Sequence, residues 1–152
     1  MLESIIDYFE TCTILTSLNG MVGANYLSAD TYSVSFNENA GYNPVISESI
    51  TGDADMQFQF TIDCRFHWNE ERDTNLDNSE FFENVRNWLI KKNLDGELPT
   101  LKQGAIPTSI QAISNGYIYD AEQDEAIYRI SCVLYYTATN GYSGGSDDDI
   151  SA

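Results

Sequence analysis

Positive charge is scarce in this chain. Of 152 residues, seven are Lys or Arg against 24 Asp or Glu, giving a formal charge of −17 and a pI near 4.1. Gripping the outside of a nucleic acid requires Lys and Arg to neutralise phosphates, so this composition excludes that class of binding. No basic residue precedes Arg65, which leaves the N-terminal part purely acidic. Cysteine is also sparse. Cys12, Cys64 and Cys132 are too few and too scattered for a disulfide framework or a zinc site, and a reducing cytoplasm fits them. There is one histidine, His67, with no candidate nucleophile beside it, so a His-based hydrolytic system is not expected. No apolar run approaches the roughly 18 residues of a membrane span. Met1 is followed by Leu2-Glu3-Ser4 with no basic stretch, so no secretory leader is expected. No glycine-rich phosphate loop occurs either, because Gly144-Gly145 carries no lysine and precedes no helical pattern. No internal repeat is visible.

What is present is strong periodicity. Over 55–68, Met56, Phe58, Phe60, Ile62, Cys64, Phe66 and Trp68 share one parity. Gln57, Gln59, Thr61, Asp63, Arg65 and His67 share the other. A strand sends successive side chains to opposite faces, so this is one long strand of about 45 Å with an apolar face and a wet face. Its cover follows directly. Over 80–92, Phe81, Phe82, Val85, Trp88 and Leu89 recur at helical spacing, with Glu83, Asn84, Arg86, Asn87 and Lys91 outward. Trp88 is expected on Phe60 and Ile62. The N-terminal stripe Leu2, Ile5, Ile6 and Phe9 predicts a short helix, ending by Cys12, that packs on the same sheet.

The remaining strands are weaker. An extended stretch is expected at Tyr26 and Leu27, a strand over 32–37, a turn over 37–44 and a short strand over 45–50. A polar loop is expected over 69–79. Its Asp73, Asn75, Asp77 and Ser79 resemble the start of a calcium loop, but Asn78 and Asn84 stand where Gly and a bidentate Glu belong. No metal is therefore expected, and Asp77, Asn78 and Ser79 are expected to cap the helix that follows. A strand over 109–119, with a bulge at Gly116, should form a hairpin with the last strand over 125–137. The last strand is apolar on both parities, as suits a central strand or one covered by another subunit. Residues 140–152 are rich in Gly, Ser and Asp and read as a flexible acidic tail. The expected fold is α+β: one two-layer domain over 1–139, mainly antiparallel sheet, with amphipathic helices packed on one face.

Chemistry-bearing constellations are few, so a non-enzymatic protein without cofactor is expected. The carboxylates lie in turns and on outer faces. Tyr117, Tyr119, Tyr135 and Tyr136 form a candidate binding surface, since Tyr is frequent at protein interfaces.

Three stretches carry a resemblance. They are Met1-Leu2-Glu3-Ser4-Ile5-Ile6-Asp7-Tyr8-Phe9; Asn78-Ser79-Glu80-Phe81-Phe82-Glu83 with Trp88-Leu89 and Leu98-Pro99; and Ser114-Asn115-Gly116-Tyr117-Ile118-Tyr119-Asp120 with Ala126-Ile127-Tyr128-Arg129-Ile130 and Cys132. With the order of elements, they resemble the minor capsid or head–tail joining proteins of phages and prophages of Gram-positive bacteria, which are similar to the tail terminators of long-tailed phages. The likeness spans most of 1–137, leaves 37–50 unassigned and omits the tail.

The resemblance implies a structural virion protein, a tail terminator or neck subunit assembled in the bacterial host cytoplasm. It implies a homo-oligomeric ring, usually a hexamer, that caps the tail tube protein and docks to a head connector or head-completion protein. DNA passes through such a ring without specific binding, and no membrane is involved. On that reading the loops reach to neighbours, with Asn39, Tyr42, Arg72 and Asn75 joining Tyr117, Tyr119 and Tyr135 at interfaces. Asp53, Asp55 and Asp63 would face the channel and repel phosphates. The alternative is an acidic, non-enzymatic interaction module that binds a basic partner.

Overall fold

The computed structural model describes residues 1–68 and 71–139. Two long strands form its axis: β4 (Ala54–His67) and β7 (Glu125–Ala138). They run antiparallel through fourteen successive pairs, from Ala54 opposite Ala138 to His67 opposite Glu125. On the free edge of β4 lie β2 (Val34–Glu38) and β3 (Val45–Glu48), one beyond the other. On the free edge of β7 lie β5 (Ile106–Ala112) and β6 (Tyr117–Ala121), again end to end. A short β1 (Val22–Ala24) adds to β2 in parallel, so the seven-stranded sheet is mixed but mainly antiparallel. β7 is thus central, as its two apolar parities foretold.

The alternation holds. Even-numbered residues of β4 and β7 face one layer, where Phe60, Ile62, Cys64, Ile130, Cys132 and Leu134 are fully buried. Over them lie α1 (Leu2–Phe9) and α3 (Arg72–Leu94), with a single-turn α2 (Thr13–Thr16) between α1 and the sheet edge. Of the expected stripe, α1 buries Leu2, Ile5 and Phe9 and leaves Ile6 half-buried, and the helix stops at Phe9 rather than Cys12. α3 buries Phe82, Val85 and Leu89 at i, i+3 and i+7. The result is a single α+β domain with its helices on one face of the sheet.

Four expectations are corrected. The polar run 72–79 is helix, not loop: α3 has 23 residues and begins after Glu71, whose backbone is extended (φ −75°, ψ 129°). Asp77, Asn78 and Ser79 are therefore interior to the helix and cap nothing. Their low helical propensity is overridden by tertiary contacts. The Asn78 side chain donates to the His67 carbonyl at 2.9 Å, and Phe81 and Phe82 pack edge-on to Phe66. Residues 69 and 70, and the acidic tail expected over 140–152, lie outside the described residues.

The second correction is Trp88. It is half-buried and contacts Tyr8 and Phe9 (ring centroids 5.3 and 5.5 Å). Phe9 in turn sits on Phe36 and Phe60, so α1 intervenes between Trp88 and the long strand.

Third, the first edge strand is β1, not Tyr26 and Leu27. Gly23 permits this: a Cβ there would lie 2.0 Å from the Tyr26 carbonyl oxygen as the chain turns back.

Fourth, the strand expected over 109–119 is two strands with a break at 113–116. Bulges fall at Pro107/Ser109 and Ile118/Asp120, not at Gly116. The break keeps the ladder satisfied, because Ser131 accepts from the Ile113 amide (2.8 Å) and donates its own amide to the Ser114 hydroxyl (2.9 Å). Gly116 serves the helix. A Cβ at that position would stand 2.4 Å from Phe82, so only glycine lets the loop pass beneath α3.

Candidate interaction surfaces

The second face of the sheet carries the odd-numbered residues of β4 and β7. Asp63 and Arg129 are direct cross-strand partners there and pair through two bonds of 2.8 Å, Nε to Oδ1 and Nη2 to Oδ2. The guanidinium lies over the Tyr119 ring, 3.5 Å from its centroid. The Asp63 carboxylate, which accepts both bonds, holds Arg129 firmly in its charged form. Asp63 is only 5 % exposed. It is not a solvated wet-face acid, and the expectation that it lines a channel is corrected by this pairing. Further along the face, Ser35 donates to Asn37 (2.6 Å) and Asn37 to Thr61 (3.3 Å), so the polar parity is internally bonded.

The other candidate residues scatter. Tyr117 and Tyr119 are exposed on β6, and Tyr135 is half-buried on β7. Tyr117 pairs with Arg129, six residues along β7 from Tyr135, or about 20 Å. They share a face but occupy its two ends. Tyr136 points the other way and is buried in the core, so it leaves the candidate surface. Asn39 and Tyr42 tie their loop inward. The Asn39 amide donates to the Gln59 carbonyl, and the Tyr42 hydroxyl accepts from the Gln59 amide, both at 3.0 Å. The loop thereby bridges β2 and β3 along the β4 edge. Arg72 and Asn75 are on the first turns of α3, not on a loop. Residues 73, 75, 77 and 79 follow one another round a helix at about 200° steps, so their backbone cannot wrap one ion. Among the described residues no three His, Cys, Asp or Glu side chains are grouped to hold a metal. His67 is exposed against the Tyr32 ring. Among the described residues no helix is long and apolar enough to cross a membrane.

Asp53 and Asp55 are exposed on the β3–β4 hairpin. Ser47 donates to Asp55 at 3.0 Å, and the turn is closed by Ser49 donating to the Asp53 carbonyl at 2.8 Å. At the tip, Ile50 is 105 % exposed.

Two concavities flank the outer side of α3. One, about 630 Å³, is polar and lies between α3 and the 113–116 loop, where Arg86 Nη1 donates to the side-chain Oδ1 of Asn115 at 2.7 Å. The other, about 390 Å³, lies between α3 and β5 and is lined by Leu89, Ile90, Leu94, Ile110 and Ala112 together with polar residues, Asn93 and the exposed Arg86 among them. Sequence reasoning missed this groove. Its signal was the spacing of Arg86, Ile90 and Leu94, each four residues apart and so on one row of the helix.

No protein-family model matches the chain, and no curated protein matches its sequence.

Proposed function

We propose that this chain is a structural subunit of the head–tail junction of a long-tailed phage or prophage: a tail terminator or neck protein that assembles as a ring, caps the tail tube and joins it to the head connector. The observation that carries the reading is that the two edges of the sheet are unlike and both apolar. One edge exposes Met21, Val22 and Tyr26 beside β1. The other exposes Ile106, Ile113, Ile118 and Tyr119 on and between β5 and β6. Exposed apolar residues on two unlike edges at opposite sides suit a head-to-tail contact that closes into a ring. The charge of −17 supports a passage for DNA that does not hold it, with the exposed Asp53 and Asp55 among the acids available to line it. The test is assembly. A phage lacking this gene should make full heads and separate tails of unregulated length. Normal joined particles, or tight binding of duplex DNA at physiological salt, would overturn the reading.

The same net charge favours one other reading, an acidic module that binds a basic partner. A native mass measurement separates the two: a ring supports the first, and a strict monomer at high concentration that captures a polycation supports the second.

A further inference from the structure

Ile50 is the most exposed large apolar side chain of the molecule's described residues, at 105 %. It stands at the tip of the β3–β4 hairpin, in a segment whose charged residues are Glu48, Asp53 and Asp55, all acidic. An isoleucine presented this way is buried by nothing in its own subunit. The groove between α3 and β5 has the opposite character. Ile90 and Leu94 line it while remaining 51 % and 82 % exposed, and Leu89 and Ile110 form its floor. Its exposed Arg86 bonds Asn115 and has no carboxylate partner among the described residues. Among the described residues Arg65, Lys91, Lys92, Lys102 and Arg129 each have one, and Arg72, like Arg86, has none.

We infer that the acidic, isoleucine-tipped β3–β4 hairpin of one copy of this chain inserts into the α3–β5 groove of a second copy, with Ile50 against Ile90 and Leu94 and the hairpin carboxylates at Arg86. A hairpin cannot reach its own groove. β3 and β5 are separated by β4 and β7, about 14 Å across the sheet. The tip also lies beyond Ala54 opposite Ala138, whereas the groove is centred on Ile110 opposite Leu134, about 13 Å further along β7. Each copy therefore offers one tip and one groove on opposite sides of the sheet. That contact is head-to-tail, and with tip and groove at opposite edges of the sheet it favours extension to a ring or a filament over a reciprocal pair. It takes its biological setting from the ring proposed above, as the joint between neighbours, while its chemistry stands on the hairpin and the groove.

The experiment is sedimentation velocity on the full-length chain, with circular dichroism to confirm folding. Wild type should sediment as an oligomer at high micromolar concentration. Ile50→Asp keeps a groove without a tip, and Leu94→Asp keeps a tip without a groove. Both sites are exposed, so both variants should fold, and each alone should be monomeric. Mixed in equal amounts, they should form a 1:1 dimer and nothing larger, because only one tip and one groove remain intact. Adding Arg86→Glu to Ile50→Asp should weaken that dimer at least tenfold. A monomeric wild type, single variants that still assemble fully, or a mixture that stays monomeric would each overturn the contact. If wild type forms rings that both variants leave intact, the contact fails and the ring reading survives. If the contact holds but phage lacking the gene assemble normally, the ring's role in the virion fails and the contact survives.

Discussion

Asn93 of α3 binds the middle of β5 as a neighbouring strand would. Its Oδ1 accepts from the Ile110 amide at 2.9 Å, and its Nδ2 donates to the Ile110 carbonyl and to the Leu89 carbonyl, the latter at 2.8 Å. The outward backbone groups of Ile110 are therefore already satisfied. An edge strand is a template for pairing with another chain, and a covering side chain is one way to blunt it. Continuous strand addition along β5 is blocked at its centre.

Asn93→Leu should cost about 1–3 kcal/mol, since it strands the amide and carbonyl of a half-sheltered edge. Urea denaturation measures the loss. The variant should also aggregate more readily than wild type at equal concentration, because the β5 edge is opened. Asn93→Asp should recover only the bond from the Ile110 amide.

Removing one member of the Asp63–Arg129 pair should be far worse than removing both. Asp63→Ala leaves a guanidinium without its carboxylate, at a cost of about 2–3 kcal/mol; solvent reaching Arg129 keeps this below the value for a fully buried pair. Asp63→Leu combined with Arg129→Leu should regain most of the loss. Equal losses for the single and the double variants in denaturant titrations would show that the pair contributes little.

Trp88→Ala should destabilise by about 2–3 kcal/mol, less than a fully buried tryptophan. Its partner is α1, so a double-mutant cycle with Phe9→Ala should give a coupling of about 0.5–1.5 kcal/mol. The same cycle with Ile62→Ala should give a smaller one, since Phe9 stands between Trp88 and the strand.

Alkaline pH should destabilise the protein, in part through its thiols. Burial holds Cys64 and Cys132 protonated in the folded state, with pKa values raised from the ordinary 9.0. Below that value both states carry the thiol proton, and the contribution to stability is constant. Above it the unfolded chain releases protons that the folded chain keeps, so stability falls as pH rises. Melting temperatures of wild type should therefore drop more steeply above about pH 9 than those of Cys64→Ala/Cys132→Ala. All three thiols are buried, so a thiol reagent should label none of them in the native protein and all three once it is unfolded.

Periodicity made the central layer legible. The parity of 55–68 and of 125–137 marked both long strands within one residue, because burying one face of a sheet forces an alternation that no turn chemistry disturbs. The stripe of α1 was visible for the same reason at helical period. The start of α3 was not, since Asp73, Asn75, Asp77 and Asn78 favour turns locally. The stretch is helix because contacts made from its continuation, Asn78 to His67 and Phe81 to the Phe66 ring, reward that conformation. Nor could pattern alone say that Asp63 would be buried. Its parity placed it on the wet face, but only the register that sets it opposite Arg129 gave it a partner and removed it from water. The groove beside β5 and the exposed tip at Ile50 belong to the same class. Each depends on how far apart the fold holds β3, α3 and β5, and distance between elements is a property of packing, not of spacing along the chain.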